Sequence, residues 1–144
     1  TERMLRGYMW ILVMVVFFTC VSLTGALGIV YRFEPNRFPV HAMDWLATHP
    51  QQGKMFNAFG WGGYILLRTW PENLVFIDSQ TDVRGDVTME YERIFYLETG
   101  WEETLEKYQV QWAVLQQDSI LSTMLVQSGW HELYRDTTAV ILRR

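Results

Sequence analysis

The 144-residue chain is acidic, with a formal net charge of −4, about half its residues hydrophobic and a single cysteine. Acidity without clusters of Lys or Arg lacks the electrostatic footprint of a nucleic-acid binder, so no nucleic-acid partner is expected. One cysteine excludes an intrachain disulfide framework.

The first element comes from a run without charge. No charged side chain lies between Arg6 and Arg32, and a helix over Gly7 to Tyr31 at ~1.5 Å per residue would exceed a hydrocarbon core of ~30 Å. The run predicts one transmembrane helix within an anchor of residues 1–32. Tyr8, Trp10 and Tyr31 fall at its ends, where amphipathic rings favour the headgroup zone, and Arg3, Arg6 and Arg32 can snorkel outward. With no His, Asp, Glu, Lys or Arg inside, the span offers no haem or chlorophyll ligand and no proton relay, so no cofactor is expected. Ser22, Gly25 and Gly28, with Thr24, are small enough for close helix packing. The expected partners are therefore membrane lipid and other transmembrane proteins of a complex. Beyond Tyr31 acidic residues outnumber basic ones, and the lack of a polybasic patch favours an extracytoplasmic domain.

Residues 33–144 suit one compact domain. Two prolines in Phe33-Glu-Pro-Asn-Arg-Phe-Pro39 predict a short stiff connector. Val40, Met43, Trp45, Leu46 and Ala47 follow as an amphipathic helix ending near His49-Pro50. Met55 to Phe59 reads as a first strand, Gly60-Trp-Gly-Gly63 as a turn, and Tyr64 to Trp70 as a helix stopped by Pro71. Leu74-Val-Phe-Ile77 before Asp78 has the continuous apolar character of a strand buried on both faces of a parallel sheet. Helices are expected over Thr88 to Leu97 and Trp101 to Tyr108, then a strand at Gln111 to Leu115. Asp118 or Ser119 caps a further helix through Val126. Trp130 to Tyr134 and Thr138 to Leu142 form a closing hairpin. Alternating strands and helices predict an α/β fold, a three-layer sandwich around a mainly parallel sheet, with the last strand antiparallel at or near an edge.

Several of these residues carry a family likeness. Phe38-Pro-Val-x-Ala42, Asp44-Trp-Leu46, Phe56-Asn57, Gly60-Trp-Gly-Gly-Tyr64, Trp70-Pro71, Val75-Phe-Ile-Asp78, Tyr91, Trp101 and Tyr108-x-Val110 resemble the C-terminal extracytoplasmic domain of polytopic bacterial membrane proteins. These are distant relatives of the lipid-phosphate-sugar-dependent glycosyltransferases. The likeness covers about residues 38–144, and its most specific piece is Trp-Gly-Gly-Tyr followed by Phe-Ile-Asp. It implies a bacterial cytoplasmic membrane, a domain on the periplasmic or extracellular side, and catalysis by acidic residues in earlier loops absent here. Where the family continues with Gly-Arg, then Asp and Tyr-Gly, this chain has Ser79-Gln80 and Asp82-Val83-Arg84-Gly85. The missing arginine removes a rigid fork suited to phosphate or carboxylate.

Few residues read as chemistry. Asp78, Asp82 and Asp86 cluster beyond an expected strand, where open α/β sheets bind ligands, and are the candidate Mg²⁺ or Ca²⁺ group. Their spacing fits no metal loop, and capping with solvation explains them more simply. Gly60-Trp-Gly-Gly63 matches no phosphate-binding motif and suits close helix-to-strand packing. His41, Asp44, His49 and His131 read as surface residues, and no serine has a nucleophile motif. Trp45, Trp61, Trp70 and Trp101 border helices or turns and are candidates for an interface. The leading expectation is a non-catalytic, single-span accessory or assembly subunit of a larger membrane complex. The alternatives are the C-terminal fragment of a glycosyltransferase-like protein that helps recognise a lipid-linked sugar or acceptor, and a small-ligand or metal binding module.

Overall fold

The computed structural model describes residues 2–24, 32–78 and 85–144, with the side chains of residues 8–23 in the first stretch. The chain divides into two units, Thr1–Arg32 and Phe33–Arg144. The first contains helix α1, Glu2–Thr24. Among the described residues no helix is long and apolar enough to cross a membrane. This corrects the expected spanning helix, and with it the single-pass placement in a bacterial membrane. The physical reason is where the charges fall: α1 begins with Glu2, Arg3 and Arg6, so its uncharged part runs from Gly7 to Thr24, roughly 27 Å at ~1.5 Å per residue against a core of about 30 Å. Residues 25–31 lie outside the described residues.

The second unit follows the order α2 (Val40–Thr48), β1 (Lys54–Asn57), a 3-10 turn (Phe59–Trp61), α3 (Gly62–Thr69), α4 (Asp86–Phe95), α5 (Trp101–Lys107), β2 (Val110–Gln116), α6 (Ile120–Gln127), β3 (His131–Arg135) and β4 (Ala139–Arg143). Among the described residues the sheet has four strands in the order β1-β2-β4-β3. Only β1 and β2 run parallel; β4 is antiparallel to both β2 and β3. The expected mainly parallel sheet is thus corrected to a mixed one, in which the last strand is antiparallel and lies next to the edge strand β3. Burial explains the order. Ala139 to Leu142 are buried on both faces of β4, whereas β3 is largely exposed, and an edge position suits a strand carrying His131, Glu132 and Arg135.

A further correction concerns Leu74 to Ile77, which forms an irregular stretch, bent at Phe76, without a place in the sheet. Leu74 is 64% exposed, so the segment is not buried on both sides. Its backbone finds another partner. Asn57, fully buried at the end of β1, accepts from the amides of Phe76 at 2.8 Å and Ile77 at 3.3 Å through Oδ1. Its Nδ2 donates to the carbonyls of Ile77 at 2.9 Å and Ala58 at 3.1 Å. One side-chain amide thus satisfies groups that a neighbouring strand would otherwise satisfy.

Side chains alternate cleanly across the sheet, the period of two expected of pleated strands. Met55, Trp112, Val114, Ala139 and Ile141 face a core with Ala42, Met43 and Leu46 of α2 and Tyr64 and Ile65 of α3. Phe56, Ala113, Leu115, Val140 and Leu142 face a second core with Tyr91 and Ile94 of α4, Leu105 of α5, and Leu121 and Leu125 of α6. Local signals end the elements where the chain turns. Ser119 caps α6 by accepting from the Ser122 amide at 3.1 Å, and Asp136 accepts from the Thr138 and Ala139 amides in the hairpin turn. The connector is fastened to the domain: Trp61 Nε1 donates to the Arg37 carbonyl at 2.8 Å, Thr138 Oγ1 to that of Pro35 at 2.7 Å, and Phe33 packs 4.5 Å from Tyr64.

Candidate functional site

The pair β1 and β2 ends beside a cleft of about 380 Å³. Carboxyl ends of parallel strands are where α/β sheets leave room for ligands. One stripe of α4 forms a wall with Thr88, Tyr91, Glu92, Phe95 and the following Tyr96, residues separated by three or four positions and so on one helical face. Phe59 and Gly60 of the turn after β1 form another, and Gln116, the last residue of β2, closes it.

Tyr91 holds these walls together. Its hydroxyl accepts from the Phe59 amide at 2.9 Å, and its ring stacks between Phe56 at 5.3 Å and Phe95 at 5.6 Å. Burial raises its hydroxyl pKa to about 12, against the pull of the Phe59 amide, which favours the anion. The phenol is therefore neutral at ordinary pH and serves as an acceptor between two elements. Two buried atoms of the wall have no hydrogen-bond partner: Thr88 Oγ1 and Gln116 Oε1. Leaving a buried polar atom unpaired costs about 1–3 kcal/mol, so a partner for these two oxygens would stabilise the wall. A stripe of aromatics with Thr88 and Glu92 set among them was visible in the helical period of α4. Gln116 carried no such signal, because its partnership depends on where β2 stops.

The residues singled out from sequence are dispersed. Asp78 is buried, Asp86 is the exposed first residue of α4, and Asp82 lies outside the described residues. Among the described residues no group of three His, Cys, Asp or Glu is arranged to hold a metal. Asp44 pairs with Arg68 at 2.6 Å, not with His41. Trp61 is 5% exposed and belongs to the core, while Trp70 is 63% exposed. Trp45 is half-buried, stacked on His49 at 4.4 Å and 5.5 Å from Tyr134, and half-buried Trp101 opens α5 against the second core. Ser22 is exposed on α1; Gly25 and Gly28 lie outside the described residues.

The glycine turn resolves into packing. A Cβ at Gly62 would lie 2.1 Å from the Ile77 carbonyl oxygen and 2.7 Å from the Asp78 Cα, so α3 meets this backbone at a distance only glycine permits. The two most distinctive stretches of the sequence, Trp-Gly-Gly-Tyr and Phe-Ile-Asp, therefore meet at one joint with Asn57 beside it. The joint is a close packing contact between α3 and this backbone. Comparison with known protein families, with curated proteins and with solved structures finds no match.

Proposed function

We propose that the chain is a non-catalytic accessory or assembly subunit of a larger protein complex, attached through α1. The observation that supports this reading is the surface of that helix. Every side chain from Tyr8 to Phe18 is aliphatic, aromatic or a thioether, none is charged, and each is at least half exposed, from 51% at Val13 to 71% at Trp10. Successive residues advance by about 100°, so eleven of them cover the whole circumference, and no polar face remains for water. A helix that is apolar all round is stable only when surrounded, and the helices of other subunits would supply those surroundings. Thr19 fits the same environment, because its hydroxyl is already bonded to the Val15 carbonyl at 2.7 Å.

Purification of the full chain from its native source in mild detergent tests this. The expected result is elution with other polypeptides in a fixed ratio, and release of the chain when Val13 and Phe17 are both replaced by Asp, since a carboxylate is costly in an apolar contact. Elution of the unaltered chain by itself would overturn the proposal.

A further inference from the structure

The cleft beside α4 has a chemistry of its own, which goes beyond the assembly reading and does not rest on it. The buried polar atoms it leaves unpaired are oxygens, Gln116 Oε1 and Thr88 Oγ1. A third acceptor, the Glu92 carboxylate, lies on the same helical face, and no Lys, Arg or His is among the described lining residues. Such a wall has hydroxyl and amide donors but no cation to balance an anion, and it meets one with the negative charge of Glu92. It suits a ligand that brings N–H or O–H donors.

The aromatic walls narrow the class further. Phe59, Phe95 and Tyr96 surround the opening, with Tyr96 set edge-on to Phe95 at 5.4 Å and 84°. Ring quadrupoles attract cations more strongly than neutral donors, and a neighbouring carboxylate adds to that preference. We propose that this cleft binds a small organic ammonium group, a protonated primary amine on a short apolar chain. Its N–H groups donate to Gln116 Oε1 and Thr88 Oγ1, and its charge is balanced by Glu92 and the rings. A volume of about 380 Å³ leaves room for several carbons behind the nitrogen. Binding removes the cost of the two unpaired oxygens, which a purely apolar ligand would leave in place.

The test is a magnetic-resonance titration of the full chain in mild detergent, following the Gln116 side-chain amide and the Thr88 methyl. Three probes are compared at neutral pH: butylammonium, butyrate and methyl glucoside. The expected result is saturable shifts of both signals with butylammonium, and weaker binding by roughly two- to fivefold in Glu92→Gln, the range for one exposed charge pair. Glu92 is on the surface, so this variant keeps the fold. The proposal is overturned if none of the probes shifts these signals, or if butyrate or methyl glucoside binds as tightly as butylammonium. An unchanged butylammonium affinity in Glu92→Gln overturns it too.

Discussion

Removing the Asn57 amide leaves the amides of Phe76 and Ile77 and the Ile77 carbonyl without their buried partner. Asn57→Ala should therefore destabilise the domain by about 3 kcal/mol or more, read as a lower urea midpoint. Asn57→Asp keeps the acceptor but loses Nδ2 and buries a charge, so it should not rescue. Tyr91 gives a prediction in pH. Its pKa is about 12 in the folded chain against 10 for an unperturbed tyrosine. The folded state holds this proton more tightly, so the associated stability is complete below pH 10 and is lost as pH rises through 12. Two units correspond to roughly 3 kcal/mol at most. Tyr108 and Tyr134 are also raised to about 12, the first chiefly by its bond to Glu90 and the second chiefly by burial. Alkaline unfolding of Tyr91→Phe should accordingly keep part of the wild-type slope and lose the rest; an unchanged slope would rule out this role for Tyr91. The roles of both residues were hidden in the sequence, because each depends on partners nineteen or more positions away.

Helix α3 carries a paired prediction at the scale of elements. Alanine is normally favoured over glycine inside a helix by up to ~1 kcal/mol. At Gly63 no atom would meet the new methyl, so Gly63→Ala should stabilise by about that amount. At Gly62 the methyl would strike the Ile77 carbonyl, so Gly62→Ala should destabilise by about 1–3 kcal/mol. Thermal melting of both variants checks the signs, and two shifts in the same direction would contradict the joint. The helices were legible because apolar residues recur on one face: Val40–Thr48 and Trp101–Lys107 start where the pattern places them. Sheet order was not legible to the same degree. A continuous apolar run marks Leu74 to Ile77 and Ala139 to Leu142 alike, yet only the second is a strand, and it is central because its partner β3 is too polar to be. The candidate cleft was half legible, since α4 displays its stripe while Gln116 joins it only through the register of β2 with β4.

The whole molecule joins an α/β domain with satisfied turns and two cores to a helix that presents apolar side chains in every direction. Composition made the helix the plainest feature of the sequence. What composition could not supply was its surroundings, because lipid and neighbouring protein helices are equally apolar. Attachment to a larger complex through this helix is the central claim, and crosslinking in the intact native source tests it most directly. A photoreactive residue placed at Val13 or Phe17 should give discrete covalent adducts with other polypeptides, while one at exposed Glu103 of α5 should not give the same adducts. Adducts with lipid alone from the helix positions, or none to protein, would contradict it.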